Sequence, residues 1–200
     1  MYLIRGKGRI ARRYFMEYTI ESAAERLLQS FQAYYNVKEY TEEEKEAQSL
    51  GLPLRALCEY YEKSQKYEVS QKAELWSENS EEFLFLFQTD RLTQELFERC
   101  KEYAWEEGSK LAHIGPGHMY TYVTPMFVCN ECDEDAKKAV KKCRKFKSFR
   151  FSFHGWMDLH TAVLEVQNNQ ISSNAGGRSV EKVMKSVLFN SKKKRRWFLK

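Results

Sequence analysis

The stretch Phe83-Leu84-Phe85-Leu86-Phe87 decides the fold, because it is a continuous apolar run bounded on both sides by polar residues. A run of this length is typical of a central strand that is covered on both faces of its sheet. Upstream, apolar and polar residues alternate from Tyr67 to Leu75, which predicts a half-buried strand. Because Glu78-Asn79-Ser80 is turn-like, we expect these two strands to form a hairpin.

Outward from the hairpin, helical and strand patterns follow one another along the chain. Three- and four-residue apolar spacing predicts helices over about residues 17–35, 91–107 and 133–145 and a last helix from residue 179. A short acidic helix is predicted over about residues 41–51 from its N-terminal capping signal and the glycine at its end. Period-two alternation predicts three further strands over about residues 118–128, 149–153 and 159–167. The predicted class is α+β, with a mainly antiparallel five-stranded sheet, flanking helices and the element order α-α-β-β-α-β-α-β-β-α.

Several local signals refine this prediction. Thr41-Glu42-Glu43-Glu44 matches a capping box, and Pro53 is expected to begin a short helical turn. Thr89 or Asp90 is expected to cap the helix that ends at Gly108. Pro125 lacks a donor for the strand ladder, which predicts an edge position or a bulge.

Phe149, Phe151 and Phe153 occupy alternate positions of a predicted strand. Three aromatic residues at this spacing predict one buried sheet face, and Gly155 is expected to end the strand. Trp156 follows directly and is predicted to be structural as well.

Charge is concentrated at the two ends of this chain of 200 residues, whose formal net charge is +5. Residues 1–15 carry five basic residues and no acid, and residues 192–200 carry six and no acid, which leaves −6 for the remainder. We expect one α+β domain over residues 16–190 and a basic tail over residues 191–200. Residues 1–15 are interpreted either as a basic arm or as residues upstream of a start at Met16.

Composition excludes several classes of protein. Hydrophobic residues make up 42% and charged residues 30% of the chain, which argues against wholesale disorder. No apolar run reaches the length of about 18 residues that a transmembrane helix needs, and residues 1–15 do not match a secretory signal. We therefore predict a cytoplasmic protein.

Five cysteines, an odd number without a secretory signal, predict free thiols in a reducing compartment. Cys129-x-x-Cys132 is the one pair with metal-ligand spacing, but a structural zinc site normally needs four ligands. The nearest third cysteine, Cys143, lies on the apolar stripe of a predicted helix. No metal and no cofactor is therefore predicted, and Cys129 and Cys132 stay as weak candidate ligands.

Three motifs resemble an uncharacterised bacterial domain family. They are His118-Met119-x-Thr121-Tyr122, the segment from Lys147 through Gly155-Trp156 to Asp158, and Asn174-x-x-Gly177-Arg178. The resemblance covers roughly residues 50–185 and does not extend to the two tails or to the cysteines. It implies an intracellular bacterial protein and brings no activity, substrate or cofactor.

The densest polar cluster lies on and between the last two predicted strands. Its candidate catalytic residues are His154, Asp158, His160 and Arg150, and His118 joins them if the strand at 118–128 is adjacent. Two histidines and an aspartate on one wall bind a metal ion or act as general acid and base. The alternative is a solvated strand face, because one-sided sheets alternate in the same way.

The sequence leaves three functions open. The absence of a catalytic motif favours a non-enzymatic intracellular binding domain for a protein or small molecule. The cluster above favours a metal-dependent hydrolase or another enzyme. The basic tail favours weak binding of polyanions such as nucleic acid. Its candidate binding residues are Lys192, Lys193, Lys194, Arg195, Arg196 and Trp197.

Overall fold

The computed structural model describes residues 18–41, 43–44, 51–67 and 74–189. The basic N-terminal arm, the C-terminal tail and most of the predicted acidic helix lie outside these residues, as does most of the predicted strand from Tyr67 to Leu75. Within the described part, Thr41 and Glu44 form the predicted capping box. The Thr41 amide donates to the Glu44 carboxylate over 2.9 Å, and the Glu44 amide donates to Thr41 Oγ1 over 3.3 Å.

Eight strands form one mixed sheet in the described part of the chain. Their spatial order is β1-β2-β3-β4-β6-β5, and β7 continues alongside β4 beyond the end of β6 and pairs with β8. The strands are β1 (Asn36–Glu39), β2 (Leu54–Tyr67), β3 (Glu74–Leu92), β4 (His118–Cys132), β5 (Phe146–Ser148), β6 (Trp156–Leu159), β7 (Ala162–Glu165) and β8 (Gln170–Ser173).

Helices cover both faces of this sheet. They are α1 (Ile20–Phe31), α2 (Gln94–Leu111), α3 (Glu134–Lys142) and α4 (Arg178–Phe189). One core cluster joins α1 and α4 to the sheet, and a second cluster joins α2 and α3 to the opposite side. We call these two sides the α1 face and the α2 face.

The apolar run at 83–87 lies in β3 and is covered on both sides, as predicted. Phe83, Phe85 and Phe87 are buried on the α2 face, and Leu84 and Leu86 are buried on the α1 face. β3 pairs antiparallel with β2, but the predicted hairpin is wrong in its partner strand, because residues 83–87 pair with residues 54–59 and not with the predicted strand at 67–75. Tyr67 pairs with Glu74, so the two ends of that predicted strand belong to different strands. Residues 78–80 lie inside β3 rather than in a turn, and the residues after Pro53 form β2 rather than a helical turn.

The predicted α+β class is confirmed, but the prediction of a mainly antiparallel five-stranded sheet is wrong. β4 runs parallel to β3 on one side and parallel to β6 and β7 on the other. α2 and α3 cause this arrangement, because each returns the chain across the sheet before the next parallel strand begins. The described order α-β-β-β-α-β-α-β-β-β-β-α also differs from the predicted order.

Two local predictions fail because tertiary contacts decide them. Gly108 lies within α2 and does not end it, since a Cβ atom there would come within 2.7 Å of Val123 Cγ2. The glycine therefore permits close packing of α2 on β4. The N-cap of α2 is Thr93, whose hydroxyl accepts from the Leu96 amide.

Pro125 lies in a central strand and not at an edge. β6 pairs with β4 up to Val123 and β7 pairs from Met126, so the missing N–H of Pro125 falls at the junction of β6 and β7. The Pro125 carbonyl still accepts a hydrogen bond of 2.8 Å from Thr161 Oγ1. A break between two short strands thus accommodates proline within a sheet.

The prediction of a strand with a buried aromatic face at 149–153 is wrong. These residues form the loop between β5 and β6, in which Arg150, Phe151 and Ser152 have φ angles of 46°, 53° and 68°. Phe151 is 96% exposed and Phe153 is 85% exposed. Turn hydrogen bonds within the loop replace a strand ladder, so the period-two pattern does not produce a sheet face here.

Candidate functional site at the open end of the sheet

The hydrophobic core on β3 ends at Phe83, and the preceding residues are two consecutive acids. Because side chains alternate along a strand, Glu82 lies on the α1 face and Glu81 on the α2 face. Glu81 is 3% exposed and Glu82 is half-buried. This open end of the sheet therefore carries one carboxylate on each face.

On the α1 face, the strand register places four residues in one row across the sheet. Tyr60 on β2 is opposite Glu82, which is opposite Tyr122 on β4, which is opposite Asp158 on β6. The carboxylates of Glu82 and Asp158 therefore lie on either side of Tyr122, each one strand away. Neighbouring strands of a sheet are about 5 Å apart.

Aromatic rings extend this row into a stack. The ring centroids of Tyr120 and Tyr122 are 4.5 Å apart at an interplanar angle of 25°. Trp156 lies 6.0 Å from Tyr120, and the His160 ring lies 4.2 Å from Tyr122. We call these four residues the aromatic stack.

Neutral donors hold the Glu82 carboxylate in place. Tyr35 donates its hydroxyl to Oε2 over 2.8 Å, and Thr124 donates to Oε1 over 3.3 Å. Burial and the adjacent Glu82 charge raise the pKa of Tyr35, so its hydroxyl stays protonated. Among the described residues, none forms an ion pair with Glu82.

A cavity of about 330 Å³ opens beside this carboxylate. Its walls are mostly aromatic and contain no basic residue. They are formed by Ser30, Phe31, Tyr34, Tyr35, Tyr60, Glu82 and Val183. We call this cavity the α1 cleft.

His160 and Asp158 approach each other on the same face, with 3.6 Å between Nε2 and Oδ2. Burial lowers the pKa of His160, and the charge of Asp158 offsets only part of this effect. His160 Nδ1 is buried and has no hydrogen-bond partner in the described part of the chain. The ring packs beneath Gly176, where a Cβ atom would come within 2.3 Å of Cδ2.

On the α2 face, Glu81 anchors a buried polar network. Its carboxylate accepts 3.1 Å and 2.7 Å hydrogen bonds from the His113 amide and Nδ1, and a 3.2 Å bond from Thr121 Oγ1. Thr121 Oγ1 also lies 2.8 Å from His118 Nε2. His118 Nδ1 faces the His154 carbonyl at 2.7 Å, so Nδ1 carries a proton and donates it.

The Thr121 hydroxyl is the link in this network. It lies within hydrogen-bond distance of both the Glu81 carboxylate and Nε2 of His118. Two buried polar side chains therefore depend on one hydroxyl group.

The network borders a second cavity, of about 430 Å³. It is lined by Tyr61, Glu62, Asn79, Ser80, Glu81 and His113. The His113 side chain is 71% exposed while its partner Glu81 is buried. His113 and Glu81 were not predicted from the sequence, in which the one available signal was the position of Glu81 next to the apolar run.

The sheet separates the catalytic candidates. Asp158 and His160 lie together on the α1 face, whereas the His118 ring lies on the α2 face with Thr121. His154 contributes its backbone carbonyl to His118, and Arg150 is exposed on the β5–β6 loop. The candidate binding residues 192–197 lie outside the described residues.

Cys129 and Cys132 are both buried at the end of β4. A hydrogen bond between their side chains lowers the pKa of Cys132 and raises that of Cys129. The nearby Glu165 carboxylate accepts from the Cys132 amide and forms an ion pair of 2.9 Å with Lys137. Within the described ranges, no group of three or more histidine, cysteine or acidic residues is placed to hold a metal ion.

Together these features define an α+β domain whose mixed sheet carries an acidic, aromatic cleft on one face and a buried carboxylate–histidine network on the other. The chain belongs to the family described as domain of unknown function (DUF8052), which matches residues 19–186. This match confirms the predicted relationship to an uncharacterised family and extends it to include α1. None of the curated proteins matches the chain, and none of the solved structures does so either.

No helix in the described residues is long and apolar enough to cross a membrane.

Proposed function

We propose that this protein is a binding domain that recognises an organic cation, an ammonium or guanidinium group, in the α1 cleft. The observation that carries the proposal is the Glu82 carboxylate, which is held by two neutral donors and forms no ion pair with a described residue. A carboxylate in this state offers a free negative charge to a ligand.

The aromatic walls support the same ligand chemistry. Tyr34, Tyr35 and Tyr60 line the cleft together with Glu82, and the faces of tyrosine rings attract cations electrostatically. A cation in the cleft would gain a charge-assisted hydrogen bond or ion pair from Glu82 as well. Partial burial strengthens both interactions, because less water screens them.

The electrostatic surroundings also favour a cation over an anion. Asp158 lies two strands away from Glu82 in the same row, and Glu81 lies behind the sheet. The chain without its two basic ends carries a formal charge of −6. A field of this sign raises the local concentration of positive ligands and repels phosphates.

A reducing, intracellular compartment is part of this proposal. All five cysteines are free, and four of them are buried. Free thiols that persist in this number are typical of intracellular proteins.

Calorimetric titration with choline and butylguanidinium tests the proposal, and 3,3-dimethyl-1-butanol serves as the neutral analogue of choline. We expect the cations to bind at least tenfold more tightly than the alcohol, because only a cation gains from the carboxylate and the rings. Glu82→Gln keeps the shape and the hydrogen-bonding oxygen but removes the charge, and we expect it to weaken cation binding about tenfold.

Glu25→Gln is the matched control, since Glu25 is exposed on α1 and the net charge changes equally. Equal affinity for choline and its neutral analogue would refute the proposal. The same holds if Glu82→Gln and Glu25→Gln have the same effect, or if neither cation binds at millimolar concentration.

A further inference from the structure

The segment that leads from α3 into the hairpin of β5 and β6 is strongly basic. Residues 136–157 contain eight lysines and arginines and no acidic residue. Five of them are exposed and form no ion pair with a described residue: Lys141, Lys142, Arg144, Lys147 and Arg150. This local charge is opposite in sign to that of the rest of the domain.

Two phenylalanines project from the tip of the same hairpin. Phe151 is 96% exposed and Phe153 is 85% exposed, and Phe146 on β5 is 63% exposed. Large apolar side chains at such exposure bury little of their surface within the domain. Contiguous apolar groups in solvent commonly mark an interaction surface.

The backbone at the tip is both strained and fixed. Arg150, Phe151 and Ser152 all have positive φ angles, which non-glycine residues rarely adopt. The Phe153 amide donates to the Arg150 carbonyl and the Gly155 amide to the Ser152 carbonyl, and these bonds close the turn. Strain held in place by local hydrogen bonds is typical of functional segments.

We propose that this hairpin, through Arg150, Phe151 and Phe153 at its tip and Arg144 and Lys147 behind it, docks the protein onto an anionic membrane surface. Phenylalanine rings that project from a loop enter the boundary between headgroups and acyl chains. The basic residues behind them then lie at the level of anionic headgroups, which attract them.

The surroundings of the hairpin tip favour lipid over nucleic acid. Phe151 and Phe153 lie on a tight turn and contact no other aromatic ring in the described structure, whereas single-strand binding uses a groove with rings spaced for successive bases. Lys147 on the edge strand β5 would by itself be explained as protection against strand pairing. That explanation does not account for two exposed phenylalanines on a strained turn.

Flotation with vesicles tests the proposal, using the full chain and comparing phosphatidylcholine alone with a 70:30 mixture of phosphatidylcholine and phosphatidylglycerol. We expect binding to the anionic vesicles only, and weaker binding as salt increases. The triple variant Arg144→Gln, Lys147→Gln, Arg150→Gln should lower the partition coefficient about a hundredfold, since each charge contributes about fivefold. Phe151→Ala with Phe153→Ala should lower it at least tenfold, and the corresponding leucine variants should retain most binding.

Arg99→Gln, Lys110→Gln, Lys182→Gln is the matched charge control, because these exposed residues lie on α2 and α4. It should retain most of the vesicle binding, and circular dichroism should show that all variants are folded. Two results would overturn the proposal: no preference for anionic vesicles, or hairpin variants that bind them like the control. Hairpin-dependent binding of a single-stranded oligonucleotide without vesicle binding would assign the surface to nucleic acid instead.

Discussion

Replacement of Thr121 by valine is expected to destabilise the protein far more than the same change at Thr124. Both threonines lie on β4 and both are 0% exposed, but they point to opposite faces of the sheet. Valine has nearly the shape of threonine, so each substitution removes a hydroxyl group without opening a cavity. The two variants therefore compare two polar environments in one strand.

The structure gives the expected magnitudes. Thr121 connects His118, which is 4% exposed, with Glu81, which is 3% exposed. Without the hydroxyl, His118 Nε2 loses its partner and Glu81 loses one of its donors. A buried polar group left without a partner costs about 1–3 kcal/mol, so we expect Thr121→Val to lower the free energy of unfolding by about 2–4 kcal/mol.

Thr124 makes one longer hydrogen bond of 3.3 Å, to Glu82. Glu82 is half-buried and also accepts from Tyr35, and water can replace the lost donor. The expected loss for Thr124→Val is therefore about 0–1 kcal/mol.

Urea unfolding followed by circular dichroism measures both values, and an unchanged slope against urea shows that the native state is preserved. Losses that agree within about 0.5 kcal/mol would refute the assignment of a tightly coupled network to the α2 face. A loss below about 1 kcal/mol for Thr121→Val would do the same, because the buried groups would then have found other partners.

Two further predictions concern His160 and the C-terminal tail. Burial holds the pKa of His160 below its ordinary value, so the unfolded chain binds a proton that the folded chain does not. The neutral His160 ring makes its full contribution to the free energy of unfolding above pH of about 6.5. As the pH falls below this value, the free energy of unfolding decreases by up to about 1.4 kcal/mol per pH unit. Urea unfolding between pH 7 and about pH 5 should show this dependence of the free energy of unfolding on pH. His160→Gln should make the dependence weaker, and an equal dependence in the variant would contradict the prediction. For the tail, the five basic residues at 192–196 should bind duplex DNA in a salt-dependent way. The logarithm of the binding constant should fall with the logarithm of the salt concentration with a slope of about −4. Filter binding should lose this component in a chain that ends at Ser191, and unchanged binding after truncation would show that the tail takes no part.

The candidate site shows which functional residues could be predicted from the sequence and which could not. Asp158, His160 and His118 were predicted as candidate catalytic residues, with His118 joining the other two if its strand is adjacent. Asp158 and His160 do lie together. The sheet places His118 on the opposite face, because a register irregularity at the start of β4 turns its side chain toward Thr121. Glu82 was not selected at all, since one acid beside an apolar run has no distinctive spacing.

The sequence by itself determined the amphipathic stripes of α1 and α4 and the two-sided burial of residues 83–87. These features depend on local periodicity, which fixes the faces of an element without reference to its neighbours. Only the tertiary structure decided that β4 runs parallel to its neighbours and that Phe151 is exposed. It also decided that Glu81 meets Thr121 across a separation of 40 residues. Strand direction, register and such contacts depend on how distant segments pack against one another, and a local pattern does not encode them.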